Sequence, residues 1–243
     1  DGDADIFVAN YRLKPDLLWV NQGNDAEGVP HFVNEARQRG VEGVLKTGSF
    51  AGQYGHSIGA VWGDLDVDGD RDLVVANLAH SAWRCFSDAT MVYLSSGWEG
   101  EYGFTDVRER SGVAYVETHS DPSLADVDND GWLDLLLTHV YDGWRSSLYR
   151  NTTGDEVPPA RTPVAYLPGL LKRSELAAGP GPSTAGGLGA ARLMGAAAAT
   201  DGEVAGVAFG DVTHLSGIYP RTAWGSGWSD YDNDGDLDLA AQG

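Results

Sequence analysis

The chain has 243 residues and carries 36 acidic against 16 basic side chains, a formal charge of −20. That balance argues against nucleic-acid recognition through a basic groove, and the length allows one sizeable core of β type. No apolar run is long enough to span a membrane, and the single cysteine, Cys85, excludes an intrachain disulfide and is expected as a buried thiol, not a nucleophile.

The chain opens on Asp1-Gly2-Asp3-Ala4-Asp5-Ile6. Short apolar runs at 7–10, 17–23 and 32–35 read as strands, closed by a turn at Gly40-Val41. The run 57–62 then leads into Asp64-Leu65-Asp66-Val67-Asp68-Gly69-Asp70-Arg71-Asp72-Leu73, followed by strands at 74–77, 91–94 and 104–107 and a turn at Gly112-Val113. A third unit repeats the order: 121–125, a loop with Asp126, Asp128, Asp130, Gly131, Trp132 and Asp134, then strands at 136–139, 147–151 and 209–212 and a turn at Gly217-Ile218. A fourth begins with 225–229 and the loop holding Asp230, Asp232, Asp234, Gly235, Asp236 and Asp238. The opening residues align with 68–73, so Asp1, Asp3 and Asp5 are the second half of one more loop. The third unit is lengthened by a Pro/Gly/Ala-rich insert at 152–206, a composition that resists core packing and gives an irregular excursion.

Carboxylates at positions 1, 3, 5 and 9 of a tight loop, with Gly at 6 for the sharp turn, can converge their oxygens on one point. Their mutual repulsion is relieved by a hard dication that takes six to eight oxygens, and position 7 need give only its backbone carbonyl. Calcium suits such an all-oxygen cage better than magnesium, and the absence of Cys and His argues against zinc. Merely solvated Asp/Gly turns are the plainer alternative, and recurrence in one register weighs against it. An EF-hand wants a Glu at position 12 and flanking helices, whereas Val75, Leu137 and Ala241 stand there, amid strand-like runs. Nearly half of the acidic residues lie in these loops.

Four short strands per unit, recurring along the chain, describe the blades of a β-propeller. The fold expected is all-β, with about three and a half four-stranded blades present. Blades are expected over 1–151, the insert over 152–206 and blades again over 207–243.

The pattern resembles the FG-GAP/VCBS repeats of integrin alpha-subunit propellers. It is most similar to propellers of the cartilage acidic protein group, which often precede an ASPIC/UnbV domain. The residues that carry the resemblance are the three Asp-x-Asp-x-Asp-Gly loops, Leu148-Tyr-Arg-Asn151, Phe104-Thr-Asp-Val with Gly112-Val113, and Gly55-His56-Ser57-Ile-Gly59. It covers most of the chain outside the insert. It implies side-chain ligation of calcium by Asp64, Asp66, Asp68 and Asp72, by Asp126, Asp128, Asp130 and Asp134, and by Asp230, Asp232, Asp234 and Asp238. Asp70, Trp132 and Asp236 would give carbonyls, for three to four ions in all. No ASPIC/UnbV-like domain is recognised, and propellers of this kind usually close with seven blades. Both ends stop in the same phase of the repeat, so the chain is expected to be a segment of a longer one or to be completed by other copies.

No triad or metal-ligand spacing joins His31, His56, His80, His119, His139 and His214 to a nucleophile. His56 and His119 precede successive loops and read as structural repeat positions. Of the tryptophans, Trp62, Trp132 and Trp228 adjoin or occupy loops, Trp19 lies in a strand, and Trp83, Trp98, Trp144 and Trp224 fall between strands. Such rings usually fill gaps between sheets, while some at loop tips would stack on sugars or anchor a partner. The expectation is an extracellular calcium-binding repeat protein without catalytic activity, acting in protein or matrix adhesion or in self-association. A carbohydrate-binding or polysaccharide-processing role is the alternative.

Overall fold

The computed structural model describes residues 3–80, 85, 87–97, 102–116, 118–141, 144–155, 206–218 and 222–242. These form an all-β chain of antiparallel sheets, each made of strands consecutive in sequence. The first sheet holds β1 (Ile6–Val8), β2 (Leu17–Asn24) and β3 (Pro30–Asn34). The second holds β4 (Ser57–Gly63), β5 (Asp72–Asn77), β6 (Met91–Ser95) and β7 (Phe104–Asp106). The third repeats that order with β8 (His119–Ala125), β9 (Asp134–His139), β10 (Ser147–Asn151) and β11 (Phe209–Asp211). The fourth is the hairpin of β12 (Gly225–Ser229) and β13 (Asp238–Gln242).

Register carries the repeat. Gly63 pairs with Asp72, Ala125 with Asp134 and Ser229 with Asp238, so each Asp loop closes the first hairpin of its sheet. Helical turns α1 (Ala36–Arg39) and α2 (Thr213–Ser216) follow the fourth-strand positions β3 and β11, and each stops at a glycine in the left-handed region, Gly40 and Gly217. The sequence places turns there, and one turn of helix precedes each.

The sheets pack face to face in chain order. Along β5, Leu73 and Val75 face the first sheet, packing with Leu18 and Val41, while Val74 and Ala76 face the third. In β9, Leu135 and Leu137 face the second sheet and Leu136 joins Leu148 and Ile218 toward the fourth. Side chains alternate across a strand, so a strand covered on both faces must be apolar throughout. This is why Leu73-Val-Val-Ala and Leu135-Leu-Leu read as unbroken runs. First strands approach to backbone contact: a Cβ on Gly59 would lie 2.4 Å from the Ser120 carbonyl oxygen.

Asn151 pairs with Phe209, and Thr152 N–H donates to the Ala208 carbonyl at 2.7 Å. The ends of the 152–206 insert therefore meet at a hairpin position, and its interior, 156–205, lies outside the described residues. Cys85 is exposed, which corrects the expectation of a buried thiol. It sits in the connection between β5 and β6.

Trp62 meets Phe7 of the first sheet edge to face at 6.2 Å and Phe104 at 6.0 Å. Trp228 packs into the seam between the third and fourth sheets and donates to Ser123 Oγ at 3.1 Å. These two rings fill gaps between sheets, as expected of them. Trp19, Trp144 and Trp224 are exposed, and Trp83 and Trp98 lie outside the described residues.

Candidate metal centres

Each loop is held by one hydrogen-bond scaffold. In the first, the Asp64 carboxylate accepts from the backbone N–H of Asp68 and of Gly69, both at 3.1 Å, and Asp68 accepts from Asp70 N–H at 2.9 Å. In the second, Asp126 accepts from Asp130 and Gly131 at 3.0 and 2.9 Å, and Asp130 from Trp132 at 2.9 Å. In the third, Asp230 accepts from Asp234 and Gly235 at 3.1 Å, and Asp234 from Asp236 at 3.0 Å.

The backbone pattern repeats as well. Position 4 is left-handed in all three loops, with φ of 58° at Val67, 57° at Asn129 and 60° at Asn233. Asn tolerates this conformation, while β-branched Val67 is strained by it. Position 6 requires glycine, with φ of 96°, 91° and 96° at Gly69, Gly131 and Gly235.

The carboxylate at position 9 ties the loop to its sheet. Asp72 accepts from Leu65 N–H at 2.7 Å and from Ser95 N–H of β6 at 2.8 Å. Asp134 accepts from Val127 at 3.0 Å and from Asn151 of β10 at 2.7 Å. Asp238 accepts from Tyr231 at 3.1 Å. Asp5 accepts from Asn21 N–H of β2 at 2.8 Å, which gives it the place that Asp72 and Asp134 hold in their sheets. Asp1 lies outside the described residues, and Asp3 is exposed.

Oxygens of Asp64, Asp66 and Asp72 lie within 4.8 Å of one another, as do those of Asp126, Asp128 and Asp134, and those of Asp230, Asp232 and Asp234. Each trio could hold a metal ion. Of the side chains expected to ligate, Asp68, Asp130 and Asp238 fall outside these trios; Asp68 and Asp130 accept a loop N–H, as Asp234 does within its trio. The backbone of Asp70, Trp132 and Asp236 is engaged through its N–H, to Asp68, Asp130 and Asp234.

The position-3 side chains test the fit. Asp66 Oδ1 and Asp128 Oδ1 are buried and meet no hydrogen-bond donor among the described residues. A buried acceptor without a donor is costly, and a cation held by its neighbours would satisfy it. Burial, followed by the charges of Asp68 and Asp64, pushes Asp66 up to about 6. Burial also raises Asp72 to about 6 and Asp134 to about 7 against the pull of their backbone N–H donors. Carboxylates so gathered resist ionisation together. The donor set is all oxygen and anionic, which suits a hard dication.

The middle loop has a partner that its residue pattern does not announce. Arg150 of β10 donates from Nε to Asp128 Oδ2 at 2.5 Å, from Nη2 to Asp130 Oδ2 at 2.5 Å and from Nη1 to Asp155 Oδ2 at 2.9 Å.

Among the histidines, His119 Nδ1 bonds Thr90 Oγ1 at 2.8 Å, and burial, then His139, pushes its pKa down to about 3. It is a neutral ring in the seam between the second and third sheets. His119 pairs with His139 as Ser57 pairs with Asn77, so the register counterpart of His119 is Ser57 and not His56. Lys46 and Asp88 form a buried ion pair at 2.5 Å that the sequence pattern did not signal.

A scan against protein-family models finds no match to the chain, and a search of curated proteins finds none. No helix among the described residues is long and apolar enough to cross a membrane.

Proposed function

We propose that the chain is an extracellular calcium-binding repeat protein of FG-GAP/VCBS type. Its sheets act as propeller blades, and its calcium is structural. The observation that carries this reading is the loop scaffold found three times over, with a donorless position-3 oxygen at its centre in two of the loops. The contacts among the first strands β4, β8 and β12, and the face-to-face stacking of successive sheets, support a radial arrangement of blades.

Calcium would be held by Asp64, Asp66 and Asp72, by Asp126, Asp128 and Asp134, and by Asp230, Asp232 and Asp234. It supplies two positive charges to each cluster. The loop residues themselves fix the turn through their N–H bonds, and in the second and third sheets Asp72 and Asp134 tie it to the third strand. Loops of this sort with moderate affinity work best in calcium-rich surroundings, which favours a location outside the cell. The rigid assembly then presents its surface for adhesion to a protein or matrix partner, with no chemistry of its own.

Carbohydrate binding is a second reading, favoured by the exposed Trp144 and Trp224. The test is solid-phase binding to immobilised matrix proteins with calcium and with chelator, beside a glycan array. Calcium-dependent binding to matrix protein, lost in an Asp66→Asn, Asp128→Asn double variant, is the expected result. Binding to glycans alone would favour the second reading, and binding to neither would overturn both.

A further inference from the structure

The three loops share a scaffold but not a charge environment. The first and third contain five Asp each, and the middle one contains four. The basic residue within the first loop, Arg71, is exposed. Arg150 instead lies across the middle loop, with its guanidinium on Asp128, Asp130 and Asp155. It comes from the residue after Tyr149, which pairs with Leu135. In the second sheet the residue in that place follows Tyr93, which pairs with Leu73, and it is Leu94, buried in the apolar core.

Asp128 divides its two oxygens. Oδ2 accepts from Arg150, while Oδ1 is buried without a donor. Arg150 therefore compensates the middle cluster from one side and leaves the converging oxygens available on the other. Resting on the calcium reading above, we propose that Arg150 is a tethered counterion that lowers the cation affinity of the middle loop. The two loops with a described third strand are then graded: the Asp64 loop, with Leu94 in that place, fills before the Asp126 loop.

The direction follows from charge. A fixed guanidinium on two loop carboxylates offsets the repulsion that would otherwise drive ion uptake, and it repels the incoming dication. For a dication and a single positive charge about 6 Å apart in a solvated loop, the repulsion corresponds to roughly tenfold in affinity. Orientation of Asp128 by Arg150 would act in the opposite sense, as outer-shell partners of metal ligands do. Loop orientation is already secured by the backbone scaffold common to all three loops, so the charge effect dominates.

The experiment is calorimetric calcium titration of the whole chain as wild type, Arg150→Gln and Arg150→Lys. Arg150→Leu, which copies Leu94 of the second sheet, is the alternative if the Gln variant does not fold. The expected result is a weaker binding class in the wild type that tightens about tenfold in Arg150→Gln and stays put in Arg150→Lys. Thermal unfolding in chelator gives a second readout, with Arg150→Gln melting below wild type because its loop carboxylates lose their counterion. A titration in which no binding class tightens in Arg150→Gln overturns the counterion role while leaving the loops as calcium sites. A wild type that binds no calcium overturns the calcium reading itself.

Discussion

Strands β9 and β13 follow equivalent Asp loops, yet all six residues of β9 are buried while β13 is half-buried to exposed throughout. Their sequences, Asp134-Leu-Leu-Leu-Thr-His139 and Asp238-Leu-Ala-Ala-Gln242, start alike. The difference is the neighbours: β9 lies between the second and fourth sheets, and among the described residues β13 packs against the third sheet alone. In a stacked repeat, stability belongs to the seams as much as to the units.

The largest effect should fall on that contrast. Leu135→Ala, at a fully buried position facing the second sheet, should cost about 2–5 kcal/mol. Leu239→Ala should cost under about 1 kcal/mol. Urea unfolding of both variants checks this, and equal losses would mean that the fourth sheet is as tightly held as the third.

The seams also differ in polarity. Asp16, Thr90 and Ser146 stand just before β2, β6 and β10, and the first two reach the first strand of the next sheet. Asp16 accepts from Ser57 Oγ at 2.8 Å, and Thr90 Oγ1 bonds His119 Nδ1 at 2.8 Å. Burial pushes Asp16 up to about 6, with Asp88 adding to the shift against its Asn10 and Ser57 donors. The folded chain therefore holds this proton at a pH where the unfolded chain has released it. Stability falls as pH rises from about 4 to about 6, and the full penalty applies above that window. The drop from this group is on the order of 3 kcal/mol. Asp16→Thr, which makes the first seam like the second, should remove that part of the pH slope in denaturation curves. An unchanged slope would show that Asp16 does not titrate in this window.

Glycines sharpen the same contrast. Gly59 and Gly225 occupy like places in β4 and β12, but a Cβ on Gly59 would strike the Ser120 carbonyl oxygen, whereas one on Gly225 meets nothing within 4 Å. Gly59→Ala should cost about 1–3 kcal/mol, and Gly225→Ala should be neutral or slightly stabilising. Thermal melts of the pair give the comparison.

The smallest effect concerns Ser146, whose buried Oγ has no partner among the described residues. Its seam offers Ala223 where the earlier seams offer Ser57 and His119, each seven residues ahead of a loop's first Asp. Ala223→Ser should restore the bond and stabilise by about 1 kcal/mol. A lower melting temperature would indicate that the seam has no room for the hydroxyl.

What the sequence made legible was local. The strands at 147–151 and 225–229 lie where their composition put them, and the loops adopt one conformation because Gly at position 6 and Asp at 1, 5 and 9 act within a few residues of each other. What it hid depended on tertiary register. Arg150 reaches Asp128 only because β10 lies beside β9, and Lys46 finds Asp88 from a distant loop. The exposure of Cys85 escaped for a related reason: its side chain type favours burial, but it belongs to a connection and not to a strand. Tryptophan placement was half readable. The rings beside the loops, Trp62 and Trp228, fall at seams, whereas Trp144 and Trp224 are exposed, with Trp144 stacked on the His139 ring at 6.2 Å.

Calcium content bears on the central claim most directly. After dialysis against millimolar calcium and removal of unbound ion, metal analysis of the native protein should give close to three ions per chain, one for each Asp trio. The count should fall by one in each of Asp66→Asn and Asp232→Asn. No bound calcium in the folded wild type would contradict the account and leave the loops as solvated turns held by their backbone bonds alone.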